Sequence, residues 1–371
     1  MKSVIVVGAG IWGSSLALRL AETGWRVTLV EQHKPGHVRQ ASAGETRLLR
    51  CAHGADEWYA RLAWQARDGW RRLGERVGEE LYQEAGLVWF AGTPDGWEHA
   101  STHVLQDLDI PFEVLDPSDG RRLFPDFRGD DLSFLLREPH AGVIRARRAT
   151  QVTARLAVEA GARLVRARAV PVPGEPAVAA DGATHRADRV VWACGAWLPA
   201  LFEDTQIAVT KQDTLHFAVP PAWSVPETPA WVDHGAAVYG HGDVDGVGMK
   251  ATPDAEGRAY EPEHGPRAVD GSSVDQARAY LRRRFPALAA APVLFSQVCQ
   301  YALTPDAEWV FAETAPGVWL LGGDSGHGFK HAPAWAAYLA GVLDGDHGPE
   351  PRFGPHPRTP ARGLRTSGQV R

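Results

Sequence analysis

Residues 4–13, Val-Ile-Val-Val-Gly-Ala-Gly-Ile-Trp-Gly, decide how the chain is read. Four apolar β-formers in a row predict a buried strand, and Gly8-Ala9-Gly10-Ile11-Trp12-Gly13 then satisfies the spacing G-x-G-x-x-G. The next segment, SSLALRLAETG, carries apolar residues at helical spacing, and WRVTLVEQ reads as a second strand closing at Glu31. Strand, glycine turn, helix and strand in this order predict a βαβ unit built to hold a dinucleotide. The glycines let the backbone approach a pyrophosphate at the positive end of the helix, and Glu31 is placed to accept hydrogen bonds from the adenosine ribose. The turn alone does not separate NAD from FAD, so an NAD-dependent dehydrogenase stays open at this point.

At 371 residues the chain exceeds what one core usually holds, and two interleaved lobes are expected. Helices are predicted over 55–76 and from about Arg148 to Gly161, and β-formers with Gly and Pro dominate 211–250. A further helix is predicted in SSVDQARAYLRRRFP, and the strand GVWLLGG leads through DSGHGFK into the helix APAWAAYLAGVLDG. The expected class is α/β with an α+β second lobe. A Rossmann-like cofactor domain takes residues 1–80, 146–210 and 298–345, interleaved with a mainly antiparallel β-sheet substrate domain of 81–145 and 211–297. The segment 346–371, rich in Pro, Gly and Arg, is expected to be disordered.

Lys and Arg total 39 against 45 Asp and Glu, a net charge of −6 that offers no basic field to nucleic acid or to an anionic membrane. No apolar run reaches the roughly 18 residues of a membrane helix, and the N-terminus reads as a strand and not as a signal peptide. Cys51, Cys194 and Cys299, odd in number and widely spaced, suit a reducing compartment, so a cytoplasmic protein is expected. No HExxH, histidine cluster or acidic constellation is seen in the sequence, and no metal is expected. His37, His53 and His241 read as surface or satisfied core groups.

Four further segments, SAGETRLLR (Ser42 to Arg50), DRVVWACGAW, VCQYALTPD and GGDSGHGFK, occur in an order and spacing that resemble the sarcosine oxidase and N-methyltryptophan oxidase branch of the D-amino-acid oxidase superfamily. The resemblance runs from residue 1 to about 345 and implies an FAD-dependent amine or amino-acid oxidase. It implies FAD held covalently through Cys299, in Cys299-Gln300-Tyr301, and a flavin site formed with Ser42, Thr46, Gly195, Gly322, Gly326, His327, Gly328, Phe329 and Lys330. Val170 matches the family's adenine contact. Arg47 is implied to favour the anionic reduced flavin, and Lys250, in VGMK, to stabilise superoxide as O₂ takes its first electron. Arg50 and Lys330 correspond to the pair that holds a substrate carboxylate. Tyr239 and Tyr301 are implied to wall the substrate cavity. Only five lysines occur in the chain, and two of them stand at these sites, which points to a need for a compact ammonium.

The chain departs from that family where the substrate lies. Ser42-Ala43 stand where sarcosine oxidases carry two histidines, and Asp254 replaces a histidine four positions after the lysine, so Asp254 is a candidate contact for the substrate amine. The expected partners are a small amino-acid-like substrate and O₂, on a monomer or weak homodimer. The expected reaction passes hydride from the amine carbon to flavin N5, and O₂ is then reduced to hydrogen peroxide. Multi-electron oxidation of a cyclic imino acid toward an aromatic product is one alternative, and a non-catalytic flavoprotein subunit is another.

Overall fold

A computed structural model of the chain describes residues 1–359. Ser3–Val7 lies inside a six-stranded sheet ordered Val310–Ala315, Val318–Gly322, Arg189–Trp192, Ser3–Val7, Arg26–Glu31, Arg163–Arg166. The last five run parallel, and Val310–Ala315 pairs antiparallel at one edge. Every residue of Ser3–Val7 is buried because both faces are covered. Val4 and Val6 join a core shared with the helices Ile11–Glu22, Glu57–Val77, Ala146–Glu159 and Ala332–Asp344. Ile5 and Val7 join a second core against the three-stranded sheet of Val170–Pro171, Ala177–Ala180 and Ala183–Arg186. The apolar run is thus split by the strand's period of two between two covering layers.

The helix Glu57–Val77 shows how local chemistry sets its limits. The Asp56 carboxylate accepts from Tyr59 N at 3.1 Å at its start, and Gly78 leaves it in the left-handed region at φ +66°.

The second lobe is an eight-stranded sheet ordered Val293–Leu303, Ala208–Phe217, Met249–Pro253, Val238–His241, Ala230–Asp233, Leu87–Ala91, Phe134–Glu138, Glu113–Leu115. Neighbours are antiparallel except Ala230–Asp233 on Leu87–Ala91. Phe90, Phe124, Phe127, Trp231 and Phe285 fill its core. A small antiparallel sheet of Thr46–Leu49, Gly142–Arg145 and Tyr82–Glu84 carries the arginine segment. The α/β class with a mainly antiparallel second lobe agrees with the sequence reading.

One expectation is corrected. The stretch from Asp346, read as disordered, packs onto the molecule as far as the described residues go. Phe353 is fully buried among Trp58, Trp309 and Trp335. Arg352 pairs with Asp56 and Glu308, and Arg358 donates to Asp306 at 2.8 Å. The high Pro and Gly content hid one aromatic anchor and two arginines with waiting carboxylates. Residues 360–371, the rest of that expectation, lie outside the described residues.

Candidate active site

The glycine turn opens onto a cleft whose empty volume, solvent at its mouth included, is about 1320 Å³. Gly8, Gly10, Ile11 and Trp12 line it, followed toward one end by Glu31, Gln32 and Gln40 and toward the other by Ser42, Arg47, Tyr301, Gly322, Gly326 and Phe329. Gly8 takes φ +105°, and a Cβ there would stand 2.4 Å from Ala193 O, so the turn needs glycine for both conformation and space. Gly195, at φ +51°, has open space where a Cβ would point. The Glu31 carboxylate accepts from Ala9 N at 2.8 Å, His33 N at 2.8 Å and Gln40 Nε2 at 3.0 Å, which fixes it at the cleft wall. Ser42 Oγ accepts from Ile11 N at 3.0 Å, at the start of the helix. A long cleft with a positive helix end at its middle, a fixed carboxylate at one end and a guanidinium at the other fits FAD.

At the Arg47 end three elements meet. Arg47 donates to Thr46 O and Ala41 O, each at 2.7 Å, and its Nη2 lies 3.1 Å from Cys299 Sγ. Burial opposes its charge, but Cys299, Tyr239, Tyr301 and Asp324 outweigh that and raise its hold on the proton. Lys250 is only 1% exposed and stands 4.7 Å from the centre of the Tyr239 ring. Burial first, and the Arg47 charge second, bring the Lys250 ammonium down to about 7, with Asp254 acting in the opposite direction. Asp254 itself accepts from Tyr301 OH at 2.8 Å.

Strand register places His216 and His241 directly opposite Lys250, one on each side. His241 Nδ1 donates to Gly242 O at 2.6 Å, leaving Nε2 to accept from Thr46 Oγ1 at 2.7 Å. Burial and then Lys250 push His216 down to about 4 and His241 well below its ordinary value, so both rings stay neutral beside the lysine. His241 is thus a satisfied core group, as read from the sequence. The sequence reading did not single out His216, and the signal for His241 was its position two residues after Tyr239, on the same strand face.

Arg50 donates to Ala52 O at 2.5 Å and lies 4.8 Å and 5.8 Å from the rings of Trp89 and Trp97. Lys330 is buried and donates to His327 O at 2.7 Å. Both cations act on His53 and His331, whose proton affinity falls well below the usual imidazole value through burial first and Lys330 second. The fold therefore brings Arg50 and Lys330 to one neighbourhood.

Other candidates sit elsewhere. Val170 is 45% exposed and outside the cleft lining, which its neighbours Ala167, Arg168 and Ala169 share. Val170 opens the first strand of the small sheet. His327 donates from Nε2 to Ala307 O at 3.0 Å and packs on Trp309, away from the cleft lining. Gly13 and Gly328 act in packing: a Cβ on Gly13 would meet Gly8 O at 1.9 Å, and one on Gly328 would meet Trp12 at 2.3 Å. Thr46 and Cys299 border the cleft through their neighbours, Thr46 bonded to His241 and Cys299 in contact with the lining residue Arg47. His53, His327 and His331 converge in space, His53 coming from far away in the sequence to meet the other two.

Residues 3–341 match the FAD dependent oxidoreductase (DAO) family. The chain is 30% identical to a monomeric sarcosine oxidase of Streptomyces avermitilis, over 91% of this chain and 92% of that one. It is 27% identical to an N-methyl-L-tryptophan oxidase of Yersinia pestis, over 89% and 92%. Its fold is similar to that of the L-proline dehydrogenase of P. horikoshii, with a TM-score of 0.83, 20% identity and coverage of 95% and 96%. A dinucleotide cleft ending at a cluster of cations, in a chain matched over nearly its whole length, is explained by one assignment: the chain belongs to the DAO family of FAD-dependent oxidoreductases, enzymes that oxidise amines.

Proposed function

We propose that this enzyme oxidises a carboxylate-bearing secondary amino acid at the C–H beside its nitrogen. The gathering of part-buried Arg50 and buried Lys330 around one neighbourhood carries this reading, because two cations set close together favour a carboxylate at that place. The names of the three relatives supply a consistent context, since sarcosine, N-methyl-L-tryptophan and L-proline are all secondary amino acids with a carboxylate.

In this reading Arg50 and Lys330 hold the carboxylate, and Tyr239 and Tyr301 wall the amine. FAD, held along the cleft by Gly8, Gly10, Ile11, Trp12, Glu31 and Ser42, would supply the hydride acceptor, and its reoxidation by O₂ would yield hydrogen peroxide. Loss of the ammonium proton to solvent suffices to start the oxidation, so no dedicated base is invoked. Lys250 places a compact cation where negative charge develops on O₂, and Arg47 keeps a permanent one near the cofactor. Cys299 is the proposed covalent anchor for the cofactor. The imine product hydrolyses or is used directly. Ser42, Ala43 and Asp254 together argue against sarcosine itself: the small pair would admit a bulkier substrate, and the Asp254 carboxylate would contact its amine.

The test is anaerobic mixing of the purified protein with N-methyl, cyclic and bulky aromatic amino acids and with their methyl esters. The acids should bleach the flavin and the esters should do so at least about 100-fold more slowly, the loss expected when a charge-paired contact is removed. Equal rates for acid and ester would sink the carboxylate assignment.

A further inference from the structure

His53, His327 and His331 each offer a ring nitrogen within 4.8 Å of the other two, and all three rings are buried. His53 Nδ1 donates to Cys51 O at 2.8 Å, which leaves Nε2 carrying the lone pair. His327 donates through Nε2 to Ala307 O, which leaves its lone pair on Nδ1. In metal sites a ligating histidine characteristically donates its other N–H to a backbone carbonyl, and two rings here are held in that way. The lone-pair nitrogen of His53 and both nitrogens of His331 meet no hydrogen-bond partner, although His53 is 2% exposed and His331 is fully buried. Buried polar atoms left in this state cost about 1–3 kcal/mol each, so the cluster calls for a ligand that accepts lone pairs.

From this geometry we propose that His53, His327 and His331 form a three-histidine site for a late first-row divalent ion, with zinc the reference case. Tyr59 and Trp309 stand against the rings, with centroids 4.9 Å and 5.4 Å from His327 and 5.8 Å and 5.0 Å from His331. The Tyr59 hydroxyl donates to Glu308 at 2.7 Å, so it faces away from the role of an ion ligand. Imidazole ligands bring no negative charge, and Lys330 and Arg50 stand near the site. Oxygen-seeking calcium and magnesium are therefore excluded, and the site favours nickel, copper or zinc, which bind imidazole strongly. Ligand nitrogens around zinc stand about 3.4 Å apart for bonds of about 2.0–2.1 Å, so the rings must draw together somewhat when the ion enters.

His53 lies three positions after Arg50, His331 directly follows Lys330, and His327 precedes Lys330 by three. An ion here would clasp the arginine segment to the lysine segment, and so fix the two cations proposed to hold the substrate carboxylate. The site does not depend on that substrate reading.

The purified full chain is stripped with a chelator, loaded with zinc, passed through gel filtration and analysed for metal, with affinity measured by competition against a chromophoric chelator. One equivalent per chain is expected, and zinc should raise Tm. His331→Phe and His53→Gln should each weaken zinc at least about 100-fold, more than the loss of a supporting group costs, while retaining the flavin spectrum. Cobalt in place of zinc should give the visible bands of a four-coordinate ion in the wild type and lose them in both variants. No stoichiometric zinc in the wild type, or zinc binding unchanged in a folded variant of either histidine, would overturn the proposal. Were one variant to misfold, the other and the cobalt spectrum of the wild type still decide it.

Discussion

Nη2 of Arg47 lies 3.1 Å from Sγ of Cys299, linking the small sheet to the edge strand of the eight-stranded sheet. The sulfur sits beside Gln300 and Tyr301, both of which line the cofactor cleft. Arg47 lines the cofactor cleft, so its contact brings the Cys299 sulfur close to the place where the proposed link would form. Acid precipitation of the wild type should leave the yellow colour in the pellet, and Cys299→Ser should release it to the supernatant. Colour released from the wild type would remove the covalent link.

Arg47 satisfies two backbone carbonyls from one planar fork, a geometry lysine does not reproduce. Arg47→Lys should therefore keep the charge and still lose stability, by about 1–3 kcal/mol, as an acceptor is left unpaired. Denaturant melts of the flavin-free protein read this. A variant as stable as the wild type would show that the two hydrogen bonds contribute nothing net.

The pH dependence of Lys250 has a definite sign. Its folded pKa is lowered to about 7 by burial and by Arg47, so the cation is present below that value and lost as pH rises through it. Reoxidation of the reduced enzyme by O₂, followed by stopped flow, should slow as pH rises above about 7, while Lys250→Met should be slow and flat. Asp254 supports the cation, so Asp254→Asn should move the midpoint to lower pH. A midpoint moving upward would contradict the arrangement.

Phe353 is the anchor of the segment after the last long helix. Phe353→Ala empties a site walled by Trp58, Trp309 and Trp335 and should cost about 3–5 kcal/mol. Thermal melts should show a lowered Tm, and truncation after residue 345 should lower it at least as far. An unchanged Tm would mean that the packed segment adds nothing to the fold.

The glycine turn, the strand before it and Glu31 after it were legible in the sequence, because each follows from rules spanning a few residues. A strand buried on both faces reads as a nearly continuous apolar run, here Val4 to Val7, and a turn against Ala193 must carry glycine at residue 8. The class of the second lobe was legible from its β-formers, whereas its tail was misread because composition does not show whether a lone aromatic finds a pocket.

Which side chains meet was decided only by tertiary structure. Lys250 faces His216 and His241 through the register of three strands, and a slip of one residue would turn it to the other face. His53, far from His327 and His331 in sequence, joins them only when the arginine segment packs against the helix that Lys330 precedes. Local propensity acts within a turn or a strand, but convergence across such distances is set by packing of whole layers, and it is there that the candidate chemistry of this protein resides.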